Sequence, residues 1–164
     1  MLLEYKVIIL LWITGLISLI KFVPKNRRRR MSFAVLLCQA FTWLSSMFHV
    51  KYHLLSFPVK EFPKATDLLI TTEYLLYPLI FGFYIIYEPK KSILSRISYL
   101  SFWISILTVL DVLLEKYTDL IEYVHYDWYW TWVNFFALFS ISNIIYQWCF
   151  TDLPLLRKHE RTIR

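Results

Sequence analysis

The sequence predicts an all-α protein, a five-helix transmembrane bundle with its N-terminus outside and its C-terminus cytoplasmic. Three observations predict it. The chain is too apolar for water, with 58% hydrophobic and only 18% charged residues, against about 45–50% and about 25% in soluble domains. Five apolar runs of membrane-crossing length are separated by charged connections. Basic residues alternate between those connections with a strong bias.

The runs cover residues 7–23, 31–50, 68–87, 97–114 and 128–150 of a single transmembrane helical domain spanning 1–164. Each holds about 17–23 residues, which at about 1.5 Å per residue reaches roughly 26–35 Å, the thickness of the hydrocarbon layer. Lys21 interrupts only the first run, and its stem can carry the ammonium out to the interface. No ten-residue block alternates at period two, so a membrane barrel is excluded. The first run is not read as a secretory signal, because its basic cluster follows the apolar stretch and no small-residue cleavage site comes after it.

Orientation follows from Lys and Arg. The 24–30 connection holds Lys25 and Arg27 to Arg30, the next same-side connection holds Lys90, Lys91 and Arg96, and the tail holds Arg157, Lys158, Arg161 and Arg164. The opposite side has only Lys6, Lys51, Lys60, Lys64 and Lys116. Basic residues accumulate on the cytoplasmic face, so the richer side is cytoplasmic and the number of crossings is odd. Between two spanning helices, the arginine run is a topology determinant rather than a nucleic-acid patch. Trp128, Tyr129, Trp130 and Trp132 fall where the fifth helix enters from outside, as an interfacial aromatic belt does. Cys38 and Cys149 lie within apolar runs and make no metal or redox spacing.

Acidic residues inside the runs are the informative exceptions. A carboxylate in hydrocarbon costs about 2.5–3.5 kcal/mol on insertion scales, so it normally faces a cavity or a partner. Glu73 in the third helix and Asp111 in the fourth fall at comparable depth in the outer half, and Glu115 follows Asp111 on the same helical face. Two such carboxylates at one level can share a proton or hold a cation. His49 and His53, one turn apart at the outer end of the second helix, have with a carboxylate the composition of a transition-metal shell. The Glu after the first His that marks metalloprotease helices is missing. A hydrogen-bonded carboxylate network and plain structural satisfaction are the alternatives.

The 51–67 connection contains Pro58 and Pro63 and is expected to form an extended or turning cap over the outer mouth, with Thr66 or Asp67 capping the third helix. Pro78 is expected to kink that helix within about a turn of Glu73 and Tyr77.

Four stretches together resemble an uncharacterised family of small multi-pass integral membrane proteins from endospore-forming bacteria: FPVKEFPKATD (57–67), EYLLYP (73–78), LEKYTDLIEY (114–123) and WYWTW (128–132). The resemblance implies a bacterial plasma-membrane location and a helical bundle, and it transfers no catalytic role to any residue.

The function expected is a membrane protein that binds or senses a small ligand or protons in an outer-half polar pocket built from Glu73, Asp111, Glu115, His49, Asp67 and Tyr77. The alternatives are a small transporter or proton-coupled subunit, an intramembrane enzyme with or without a metal, and a structural subunit acting through helix packing. No complete catalytic signature appears, no cofactor is called for, and nucleic acid is not an expected partner. The bilayer is the expected environment, and self-association or another protein partner stays open.

Overall fold

The structure, a computed structural model, describes residues 2–89 and 92–162, with side chains described from Leu3 to Phe150. Lys90, Lys91 and Arg164 of the orientation argument lie outside the described residues, and the side chains of Arg157, Lys158 and Arg161 are not described. The fold is helical. Its elements are α1 (Leu2–Phe22), α2 (Arg28–Lys51), a third helix ending in α3 (Tyr77–Tyr87), α4 (Ile93–Tyr117) and α5 (Trp128–Thr162). Four of these helices are long and apolar enough to cross a membrane: Leu3–Phe22, Lys25–Lys51, Ile93–Tyr117 and Trp128–Phe150.

The third helix differs from the expected continuous run over 68–87. Its α-helical part is only Tyr77–Tyr87, and a wider π-helical turn, Thr71–Leu76, precedes it. Pro78 supplies the reason. Its ring would strike the carbonyl four residues back, and it has no amide to donate. Widening the preceding turn relieves both, and the Tyr77 amide accordingly donates to the Thr72 carbonyl five residues back.

This short helix is the centre of the molecule. Nearly every residue of α3 is buried, as expected of a helix that is apolar all round. Phe81, Ile104, Leu107 and Phe139, each fully buried, form the middle of the core with Ala34 and Cys38 of α2. A Cβ on Gly82 would meet the end of the Met31 side chain, which would have to swing aside, so α2 and α3 approach closely at this glycine. By contrast α1 buries only a narrow stripe through Ile8 and Gly15, and its large side chains at Ile9, Leu10, Ile13 and Ile20 are exposed. In a bilayer those faces would meet acyl chains.

The two ends of the helices differ. At one end the long connections pair through a two-residue antiparallel ladder, β1 (Leu55–Ser56) with β2 (Glu122–Tyr123), in the register Leu55 to Tyr123 and Ser56 to Glu122. This is the hairpin end. At the other, arginine end, Arg27 donates to the Ile86 carbonyl, Tyr87 donates to the Phe22 carbonyl, Arg30 lies over the Phe150 ring, and Arg96 pairs with Glu88.

The cap of the third helix is not the one expected. Asp67 is exposed and pairs with Lys60, 2.7 Å away, and Thr66 Oγ1 accepts from the Leu68 amide at 3.1 Å, just before the helix begins at Ile70. Glu61 reaches over instead, and its two carboxylate oxygens accept from the amides of Ile70 and Thr71 at 3.0 and 2.9 Å. A carboxylate at a helix N-terminus meets the free amides and the positive end of the dipole together. Thr71 also donates to Glu61 and accepts from the Trp12 indole, which ties α1 to the cap.

Candidate functional site

At the hairpin end, α2, the third helix, α4 and α5 enclose a small cavity that both buried acids line. Glu73 is 0% exposed and Asp111 3%. The space open to the centre of a water-sized sphere is about 20 Å³. A single water needs about 10–15 Å³ by that measure. The cavity therefore suits a water, a proton or a small ion and has no room for an organic molecule.

The polar lining comes from four helical faces, with Asp111 as the contribution of α4. On α2, Thr42, Ser46 and His49 recur at helical spacing and turn toward the acids. Ser46 donates to Glu73 Oε1 at 2.8 Å. Glu73 Oε2 is buried and has no hydrogen-bond partner among the described residues. Tyr77, one turn after Glu73, donates to Asp111 Oδ1 at 2.7 Å. On α5, Thr131 and Asn134 complete the polar wall. Phe57, Leu55 and Ile121 from the two long connections close the top with apolar surface. Among the described residues no Lys or Arg lines the cavity, and the two acids are met there by neutral groups and one imidazole.

His49 holds a defined position. Its Nδ1 lies 2.7 Å from the Ser45 carbonyl, an acceptor, so Nδ1 carries the proton and donates. Nε2 is then free to accept from the Tyr126 hydroxyl 3.2 Å away. The Tyr126 ring meets the imidazole edge-on, with centroids 5.1 Å apart. Two phenols of the connection above the acids keep their protons to high pH. Burial, and then the charge of Asp111, push Tyr126 up to about 12 and push Tyr123 higher still. Tyr123 also accepts from Thr131 Oγ1 at 3.1 Å.

Of the six expected pocket residues, Glu73, Asp111, Tyr77 and His49 line the cavity together. Glu115 does not line it; it is half-buried one turn above Asp111 and acts on Tyr123. Asp67 is on the surface with Lys60. The histidine pair is also separated. The second helix ends at Lys51, and His53 sits exposed in a left-handed turn with φ 54°, so no shared helical face joins it to His49. Among the described residues, no group of three or more His, Cys, Asp or Glu is arranged to hold a metal.

Sequence reasoning missed Asn134, Thr131 and Tyr126, and it weighed Ser46 only for the enzyme alternative, not as a partner of Glu73. For α2 a signal existed: Thr42, Ser45, Ser46 and His49 form a polar stripe at spacings of three and four along an apolar helix. Tyr126 gave none, because only the ladder between the two connections brings it over the cavity.

A second polar cluster, at the arginine end, was also missed. Glu88 accepts from Arg96 Nε at 3.0 Å, from the Tyr84 hydroxyl at 3.2 Å and from Asn143 Nδ2 at 3.3 Å. Asn143 also donates to the Tyr84 oxygen at 2.7 Å and accepts from Gln147 at 3.0 Å, joining α3 to α5. Comparison with protein-family models, with curated proteins and with solved structures finds no match to this chain.

Proposed function

We propose that this chain is a multi-pass membrane protein whose enclosed acid pair, Glu73 and Asp111, holds a proton, and that the protein senses or stores that proton rather than binding an organic ligand. The observation that carries the reading is Glu73 Oε2, fully buried and, among the described residues, without a partner in a cavity that also holds Asp111 and is lined by no Lys or Arg. Two charges left uncompensated in low dielectric are costly, and one proton between them removes most of that cost. The cavity's size supports a proton or water-sized occupant over anything larger.

The transporter alternative needs a polar path to the other end. Phe81, Ile104, Leu107 and Phe139 pack without exposure between the acid pair and the Glu88 cluster, which favours holding a proton over passing it on. The enzyme alternative finds Ser45 3.4 Å from His49 Nδ1, but that nitrogen already donates to a backbone carbonyl and cannot serve as a base.

In this reading the chain crosses the bilayer five times, the arginine end is cytoplasmic, and the hairpin end with the acid cavity faces outward. The clustering of Arg27, Arg30 and Arg96 at one end supports it through the charge bias of cytoplasmic loops. A bacterial plasma membrane is the location that the family resemblance implies.

Infrared difference spectra of the full-length protein in lipid, taken across a pH titration, test the proton site. A carboxylic-acid carbonyl band that titrates, and that Glu73→Gln and Asp111→Asn each remove or shift, is the expected result. A spectrum with no such band, or one indifferent to both substitutions, overturns the proposal.

A further inference from the structure

The acid cavity is separated from a second, larger depression by a wall only one residue thick. That outer groove, about 420 Å³, is open at the hairpin end and lined by His49, Leu54, His125, Tyr126, Trp130 and Asn134. His49, Tyr126 and Asn134 line both spaces. The wall is held by two hydrogen bonds, Tyr126 to His49 Nε2 at 3.2 Å and Ser45 to Asn134 Oδ1 at 3.1 Å.

We propose that the outer groove is the access route to the acid pair and that His49 relays the proton across this wall, with the Tyr126 hydroxyl as its gate. The inference rests on the proton-holding reading of the cavity. The groups facing His49 are Glu73, Tyr77 and Asp111 across the cavity and His125 and Tyr126 on the groove side.

The geometry sets the sequence of events. Nδ1 keeps its proton on the Ser45 carbonyl throughout, so only Nε2 exchanges. A hydronium ion in the groove loses one O–H bond and is left as water, while Nε2 gains that proton and becomes a donor, so the Tyr126 oxygen must change from giving a hydrogen bond to accepting one. The phenol hydrogen is then released to turn toward the cavity. The Tyr126 oxygen next releases the Nε2–H group, that N–H bond breaks as its proton passes to the one water the cavity can hold, the water gives up one of its own protons to form an O–H bond on a carboxylate, and the Tyr126-to-His49 hydrogen bond returns. One proton has moved from groove to acid pair, with no change in electron count.

Tyr126 is placed for this movement. It lies in the short stretch between β2 and α5, and that stretch is anchored by the Val124 and His125 amides, both donating to the Leu54 carbonyl at 3.0 and 3.3 Å. The anchor holds the backbone over the groove and leaves the phenol hydroxyl as the part that moves.

A pH jump followed by time-resolved infrared detection of the carboxylic-acid band tests the relay. His49→Gln is expected to keep the full amplitude of the band but to slow its appearance by about 100-fold, the scale of a positioned acid–base group. In His49→Ala, added imidazole, which the groove can admit, is expected to restore the rate. Tyr126→Phe, which removes the gate and keeps the histidine, is expected to speed uptake, and an unchanged or slower rate overturns the gate. A native rate in His49→Gln with the band intact, or no imidazole rescue in a folded His49→Ala, overturns the relay and leaves the proton site standing. Absence of the band in the native protein overturns both.

Discussion

The third helix carries a glutamate near each end, and the two are treated in opposite ways. Glu88, just beyond its C-terminus, is 17% exposed in its side chain and is met by a guanidinium, a phenol and an amide. Glu73, in the π-helical turn at its start, is fully buried and is met by one serine hydroxyl, with Asp111 in the same cavity. The helix dipole alone would favour a negative charge at the start and oppose one at the end. Arg96 reverses that disadvantage for Glu88. Glu88 is paired with a cation and ties α3, α4 and α5 together, whereas Glu73 meets no Lys or Arg among the described residues.

Substitutions can break that contrast. The largest effect is expected from Asn143→Ala, which strips donors from both Tyr84 and Glu88 and leaves a gap between α3 and α5. A loss of about 2 kcal/mol in unfolding free energy, measured in mixed micelles, is expected. Arg96→Ala comes next, at about 1–2 kcal/mol, because it leaves Glu88 without its cation while solvent still screens the partly exposed site. Adding Glu88→Gln to Arg96→Ala should return most of that loss. If it does not, Arg96 stabilises by packing and the two ends are less different than their charges imply.

Glu61→Ala removes the carboxylate cap of the third helix and should cost about 1 kcal/mol in the same assay. Glu73→Gln should be the mildest carboxylate change, within about 1 kcal/mol of zero and on the stabilising side, since it removes an uncompensated acid and an amide can still accept from Ser46. A loss as large as that of Arg96→Ala would show that the Glu73 charge is structural.

The last effect is confined to alkaline pH and is absent at neutrality. Tyr126 ionises at its ordinary value of 10 when unfolded and at about 12 when folded. The unfolded chain therefore releases this proton first, so the contribution to stability is complete below pH 10 and declines from there toward pH 12. Unfolding followed across that window should fall less steeply in Tyr126→Phe than in the native protein.

Much of the helical layout was legible because hydrophobic length is a property of single segments. The runs at 7–23, 31–50, 97–114 and 128–150 correspond to four helices long and apolar enough to span a membrane. Boundaries extended by a few residues, and by twelve at the end of α5, because polar side chains at helix ends still favour helical backbone. The third run was read by its apolarity alone, which hid its division. Pro78 predicted a local kink, and the π-helical turn is how the backbone meets that requirement. Glu73, Asp111, Tyr77 and His49 were legible as one site because ionisable groups on apolar helices have few stable placements. Asp67, Glu115 and His53 were grouped with them by proximity in sequence. They fell away once the second helix stopped at Lys51 and Lys60 took up Asp67.

By itself the sequence determined the helical class, the apolar segments, the end that gathers arginine and the pair of acids that had to be hidden. These are consequences of side-chain transfer between water and oil, which each residue carries with it. Tertiary structure alone decided that α3 would be the buried centre, that Glu61 would cap it, that Arg96 would reach Glu88, and that Tyr126 would close on His49 above Glu73. Those contacts join segments far apart in the chain, and their partners are fixed by how helices pack and connections pair, which no local pattern of residues records.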